Sequence, residues 1–186
     1  MNSSTRIRPY DIAEHRHRYI AWAASRAAST KTCRFDVSTG KAIIETIGLQ
    51  LLLAGPHLLP LPERIDAQHK IWREVAIEAA KNKGLKGFGH GVAAKLINVY
   101  LKGAFVCAGQ ELHPNVQALH PPIDKLLLDE LYDQEVGGLK TLWAQARRQR
   151  WSKFDAEQYQ AVINGIREVL TGLPMWHVEV YWRGHQ

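Results

Sequence analysis

The sequence holds only two cysteines, Cys33 and Cys107, in 186 residues. Two thiols cannot build a disulfide framework, a four-cysteine zinc site or a four-cysteine iron–sulfur cluster. No uninterrupted apolar run is long enough to cross a bilayer. The stretch from Met1 to Pro9 lacks the apolar core of a signal peptide, so the expectation is a cytoplasmic protein without membrane contact. Acidic residues are outnumbered, 18 against 24 Lys and Arg, which leaves a formal charge of +6. That balance fits an acidic partner, with nucleic acid the first choice and an anionic membrane surface the competing one. No repeat, low-complexity tract, linker or strand pattern stands out. One all-α domain over 1–186 is therefore expected, with 1–8 as a flexible tail.

What is present is a series of helical periods with caps. Asp11 can cap a helix to about Ser29. Ser38 or Thr39 can open another through Ala54, and its Ile and Leu residues cover the whole circumference. A helix apolar on every side is read as the central core helix. Gly55-Pro56 stops it, and a proline-rich loop carrying Leu58, Leu59 and Leu61 follows. Asp66 reads as the cap of a helix over Ala67–Asn82. Gly103 to Leu119 reads as an irregular loop. Pro121 and Pro122 suit the start of a helix through Gln134, with Asp124 in its first turn. Leu139–Arg150 is a further helix, and Ser152 or Asp155 caps one running to Leu170. Pro174 fits the first position of a last helix.

The most informative stretch is Leu85-Lys86-Gly87-Phe88-Gly89-His90-Gly91-Val92-Ala93-Ala94-Lys95. Two glycines flank one apolar residue, and an apolar helical face follows from Val92 to Leu101. Glycines permit a tight turn and close backbone approach. The amides of a helix N-terminus then point out of that turn, a geometry that suits a phosphate. The stretch closes at Leu119-His120-Pro121-Pro122-Ile123-Asp124, which delivers one carboxylate to the start of a helix. Taken alone, that carboxylate is better explained by the helix dipole.

This pattern resembles the helix-hairpin-helix of the DNA glycosylase superfamily. The Leu-x-Gly-Phe-Gly-x-x-Val-Ala run matches its hairpin, and Pro122-Ile123-Asp124 looks like the element that carries its catalytic aspartate. The long separation of the two, and Ala94-Lys95-Leu96-Ile97-Asn98, are similar to the archaeal 8-oxoguanine branch. The close resemblance covers about 40 of the 186 residues. It implies a compact helical glycosylase fold with a cleft between two helical subdomains and a helix-hairpin-helix unit at 67–103. It also implies excision of a flipped base from double-stranded DNA, with Asp124 as the catalytic carboxylate. The base would be an oxidised purine or a hypermodified cytosine of phage DNA, as a bacterial antiphage glycosylase would take. Members that form a Schiff base place a lysine two residues after the second hairpin glycine, and Gly91 stands there. The enzyme is therefore expected to be monofunctional, with water as the nucleophile and Lys86 or Lys95 as possible displaced amines.

The expected DNA-backbone contacts are Gly87, Phe88, Gly89, His90 and Gly91, with Arg147, Arg148 and Arg150 from a basic stretch interleaved with Trp143, Trp151 and Phe154. Base-pocket candidates are Trp22, Trp72, Gln50, Asn98, His113 and Trp176, since a flipped base needs stacking and edge hydrogen bonds. His113 and His120 lack a third ligand at metal spacing, so neither a metal nor a cofactor is expected, and a monomer is. Two other readings stand beside this one. The first is a non-catalytic helix-hairpin-helix module, in which Asp124 only starts a helix. The second is a helical protein whose basic face meets an acidic partner.

Overall fold

The computed structural model describes residues 10–184, so the tail at 1–8 lies outside the described residues. The fold is all-α, with no strand among them. Helix α1 spans Ile12–Ala28 and α2 Val37–Ile47, followed by a 3₁₀ turn over Leu49–Ala54. Helix α3 covers Ile65–Asn82 and α4 His90–Leu101; the chain then continues in wider π turns over Lys102–Gln110. The short α5 covers Pro114–Gln117, and α6 (Lys125–Asp133), α7 (Lys140–Gln149) and α8 (Ala156–Leu170) follow. A 3₁₀ segment, Met175–Tyr181, ends the described helices.

The caps explain most of these boundaries. Asp11, Asp36, Asp124 and Asp155 each accept a backbone N–H in the first turn they precede. Each such cap is worth about 1 kcal/mol. Asp155 and Gln158 complete a reciprocal capping box, which satisfies two otherwise orphaned donors.

Helix α4 is the central core helix, with ten of its twelve residues buried. Burying Val92, Leu96 or Ile97 contributes roughly 1.5–3 kcal/mol each. This corrects the reading of 38–54. Gly48, at φ +85, ends α2 after Ile47, and only Gly40, Ile43 and Ile44 of α2 are buried. Its apolar residues were spread over two elements with different faces. Continued through the π turns, His90–Gln110 is long and apolar enough to cross a membrane, by length and composition only. Neighbouring helices cover it, however: 67% of its most apolar 18 residues are buried inside the fold.

Two apolar clusters meet across α4. One joins α1, α2, α3 and most of α4. The other joins α6, α7, α8 and the C-terminal 3₁₀ segment, and takes Ala94 from α4. Trp143 is fully buried in the second cluster and donates its indole N–H to the Val136 carbonyl at 2.9 Å. Lys95 therefore lies at the seam between the two clusters, one residue after Ala94.

Three other expectations need correction. Asp66 does not cap α3; it lies in the first turn and pairs with His120 and Arg167. The stretch after Gly103 is not an irregular loop, because the helix continues to Gln110 and bends only where Gly109 turns to φ +78. Asp124 precedes α6 as its N-cap instead of lying in the first turn.

Candidate active site

The hairpin is tight. Gly87 sits at φ +74, and a Cβ there would lie 2.9 Å from the Thr32 carbonyl oxygen. Phe88 turns inward, 6% exposed, and its ring packs 5.7 Å from that of Phe35. It anchors the hairpin and does not face a ligand. Gly91 donates its N–H to the Phe154 carbonyl at 3.2 Å. A Cβ on Gly91 would stand 1.8 Å from the Trp151 carbonyl oxygen. Gly91 is thus spoken for by the Trp151–Lys153 turn, and its amide is not offered outward as expected. The same contact gives a steric reason why no lysine stands at this position.

One turn further along α4, Lys95 projects into the seam. Its Nζ donates to Asp124 Oδ2 at 3.0 Å, and the two side chains are 8% and 19% exposed. Trp182 Nε1 also donates to Asp124 Oδ2 at 3.0 Å. Oδ1 accepts the Leu127 amide at 3.0 Å, which is the N-cap bond of α6. Three donors from three parts of the chain thus fix one carboxylate. Burial pushes the Lys95 ammonium below the usual lysine value, and the attraction of Asp124 opposes that shift. Lys86, by contrast, is exposed in the turn before Gly87.

Asp124 and Lys95 line an apolar cavity of about 380 Å³. Tyr19 and Ala23 of α1 form one wall, Val99 and Cys107 of the long central helix another, and Pro122 and Trp182 a third. Its other charged groups are Lys102 and Glu179, which pair with each other. Lys102 Nζ also sits 5.5 Å from the centre of the Trp182 ring.

None of the six expected base-pocket residues lines this cavity. Trp22 stacks 5.9 Å from Tyr19 and is 47% exposed. Trp72 is core, 7% exposed. Gln50 reaches back to the Glu45 carbonyl at 3.4 Å. His113 caps α5 by accepting from the Asn115 amide. Trp176 stacks on His177 with ring centres 4.0 Å apart.

Asn98 is 1% exposed and belongs to a buried network behind the site. Its amide nitrogen donates to the Pro121 carbonyl at 2.8 Å and to the Tyr159 hydroxyl at 3.0 Å. A carbonyl only accepts, so this fixes the amide orientation. Asn98 Oδ1 then accepts from His69 Nε2 at 2.7 Å. The Tyr159 hydroxyl, having accepted, donates to His120 Nδ1, and His120 Nε2 donates to Asp66 Oδ1 at 2.9 Å. Burial pushes His120 below the usual histidine value, against the pull of Asp66. The hydrogen bond from His120 holds Asp66 well below the usual carboxylate range, with Arg167 adding to it. A neutral ring donating its Nε2–H satisfies both directions. Asn98 thus braces the loop that leads to Asp124.

The expected basic face is partly tied up. Arg147 donates to Asp129 at 2.6 Å and stacks over Tyr132 at 4.4 Å. Arg148 and Arg150 are exposed and line an open groove with Lys125, Tyr132 and Trp151. Trp182, Lys102 and Glu179 carried no recognisable signal in the sequence. They reach the site from a segment 58 residues beyond Asp124 in the case of Trp182, or from a helix continuation read as loop.

Comparison with protein-family models, with curated proteins and with solved structures returned no match.

Proposed function

We propose that the protein is a DNA glycosylase that hydrolyses the bond between a flipped, modified base and its deoxyribose. One observation carries the reading: Asp124 is fixed by three donors at the mouth of an apolar cavity, and the same helix that supplies Lys95 begins at the glycine hairpin. The helix-hairpin-helix, the cleft between two helical halves and the DNA contacts belong to this reading. Departure of the base leaves positive, oxocarbenium-like charge on the sugar. A carboxylate pre-oriented in a low-dielectric cavity stabilises that charge without reorganising. The same carboxylate can orient an attacking water. The apolar walls and the rings of Tyr19 and Trp182 suit a base taken out of the stack. The outcome is a free base and an abasic site.

A second reading concerns the attacking group, and the Lys95–Asp124 contact favours it. A buried amine with a lowered proton affinity, 3.0 Å from the carboxylate, is a competent nucleophile. Its nitrogen would bond to C1′ as the base leaves with the bonding electron pair. Loss of the amine proton and opening of the sugar would then give an imine that borohydride can reduce.

The test is base release, read by mass spectrometry, from a panel of DNAs. The panel spans unmodified DNA, oxidised and alkylated purines, uracil, and phage DNA with glucosylated hydroxymethylcytosine. Release of one base class supports the proposal. Binding to DNA without release from any member turns the reading toward a non-catalytic module.

A further inference from the structure

Helix α3 has a committed inner face and an uncommitted outer one. Inward, Ile65, His69, Trp72, Arg73 and Ala76 are buried. Outward, Ile71 is 50% exposed and Val75, one turn on, is 38% exposed. Leu58 and Leu61, from the proline-rich stretch before α3, are exposed as well. With Ile71 they line a groove of about 590 Å³, and the buried Leu59 and Trp72 lie at its floor. Apolar side chains that stand together in water mark an interaction surface, whereas scattered ones need no explanation. No α3 residue lines the Asp124 cavity, so this face is separate from the site above.

The polar residues of the same face say which partner fits. At helical spacing the outer face begins with Arg64, passes Ala67, Gln68 and Ile71, and ends with Glu74, Val75 and Glu78. A base opens it and acids close it. Set against a second α3, antiparallel about a two-fold axis at Ile71, the pattern matches itself. Arg64 then faces Glu78 of the second copy, the Gln68 amide faces its Glu74, Ala67 faces its Val75, and the two Ile71 side chains meet. Every pair occurs twice, as an isologous contact requires. The parallel arrangement would set Arg64 against Arg64 and Glu78 against Glu78, which opposes it. Inside one chain these charges are loosely held. Arg64 makes no ion pair among the described residues, and Glu74 and Glu78 only reach Lys70 at 4.0 Å and Lys81 at 3.6 Å.

We propose that this face is a self-association surface: two copies of the chain pair α3 against α3, antiparallel, with Ile71 on the two-fold axis and Val75 of each copy in the apolar groove of the other. The inference does not rest on the glycosylase reading, and it replaces the monomer expected of the sequence with a dimer in equilibrium. From Arg64 to Glu78 the contact runs along about 21 Å of helix. Crossing at about 20°, as helices packed nearly along their length do, keeps the end pairs within reach of Arg and Glu side chains. One helix face and one short stretch per copy make a small interface, so a Kd on the order of 10 µM is expected.

The experiment is sedimentation equilibrium on the full chain, from about 1 to 500 µM, for the wild type, Ile71→Asp, Arg64→Glu, Glu78→Arg and the double reversal. The wild type is expected to rise from one chain mass toward two. Ile71→Asp brings two carboxylates together in an apolar contact and should weaken association at least about a hundredfold. Each single reversal turns two attractive pairs per dimer into two repulsive ones and should weaken it about tenfold. The double reversal restores both pairs and should come back to within about threefold of the wild type. In a mixture of the two single variants every facing pair is again of opposite sign. A heterodimer should therefore form at concentrations where neither variant pairs with itself, which no loss of folding could produce. The three substituted positions are exposed, so the fold is expected to hold, and melting curves check it. A wild type that stays at one chain mass throughout overturns the proposal and leaves the groove to a different protein. A dimer untouched by Ile71→Asp, or a mixture that forms no heterodimer, overturns the pairing through α3. Neither result bears on base release, which is measured separately.

Discussion

Replacing Gly91 with alanine asks whether the turn after α7 has taken the space where a motif lysine would stand. The added methyl would sit 1.8 Å from the Trp151 carbonyl oxygen, 2.9 Å from its carbonyl carbon and 3.3 Å from the Ser152 carbonyl carbon. These are backbone atoms, so no rotamer change relieves the clash, and the whole Trp151–Lys153 turn must shift. Overpacking of this kind costs about 1–3 kcal/mol. The shift also stretches the bond from the Gly91 amide to the Phe154 carbonyl, worth about 1 kcal/mol. Alanine returns about 0.5–1 kcal/mol through its better helix propensity, so the clash wins by roughly 1–3.5 kcal/mol. For a chain of this size that is a fall in Tm of roughly 2–14 °C. Urea unfolding should show a lower midpoint at unchanged slope. Gly91→Ala as stable as the wild type would mean the turn does not occupy this space, and the steric reason for the missing lysine would be withdrawn.

Three further outcomes are expected. Lys95 is the only amine among the described residues that hydrogen-bonds Asp124. Any adduct trapped by borohydride during turnover should therefore vanish in Lys95→Ala and persist in Lys86→Ala; a band that survives Lys95→Ala refutes Lys95 as nucleophile. Asp66 is held below its unfolded value by His120 and Arg167, so its contribution to stability is present above about pH 4 and is lost as the pH falls further. Its side chain is 39% exposed, so after allowance for solvent screening Asp66→Asn should cost only about 1 kcal/mol at neutral pH. It should also flatten the acid limb of a stability–pH curve, and an unchanged limb would contradict the assignment. Asn98→Ala leaves the Pro121 carbonyl and the Tyr159 hydroxyl without their donor; a loss of about 2–3 kcal/mol is expected by thermal melting, and a neutral result would sink the bracing role.

The local parts of this fold were readable because local chemistry decides them. Asp11 and Asp155 announce helix starts through a side chain three residues from its partner. The Gly-Phe-Gly hairpin, with helices on both sides, needed no distant contact to be seen. The reading failed where one residue outweighed a pattern. Gly48 split an apolar run that looked like one helix, and the π turns carried α4 through Gly103, a residue that reads as a break. Asp124 and Lys95 stood out by type, yet their 3.0 Å contact spans 29 residues and depends on how two clusters close on α4. The cavity was the least legible part. Tryptophan is good at stacking on a base and good at filling a core, so Trp72 was picked for the pocket and lies in the core. Trp182 reaches Asp124 only because the chain returns from α8 along α6, a consequence of packing that no spacing encodes.

The central claim concerns one carboxylate, and Asp124→Asn isolates it. Asparagine caps a helix as well as aspartate does, so the bond to the Leu127 amide can survive, but its amide nitrogen then faces the Lys95 and Trp182 donors without accepting from them; a melting curve on both proteins therefore accompanies the assay to show that the fold holds. The measurement is base release by wild type and Asp124→Asn from the most responsive DNA of the panel, with duplex affinity recorded beside it. Release is expected to fall at least about a hundredfold, the scale of removing one electrostatic stabiliser of a transition state, at unchanged affinity. Equal release by both proteins would remove Asp124 from the chemistry and contradict the account.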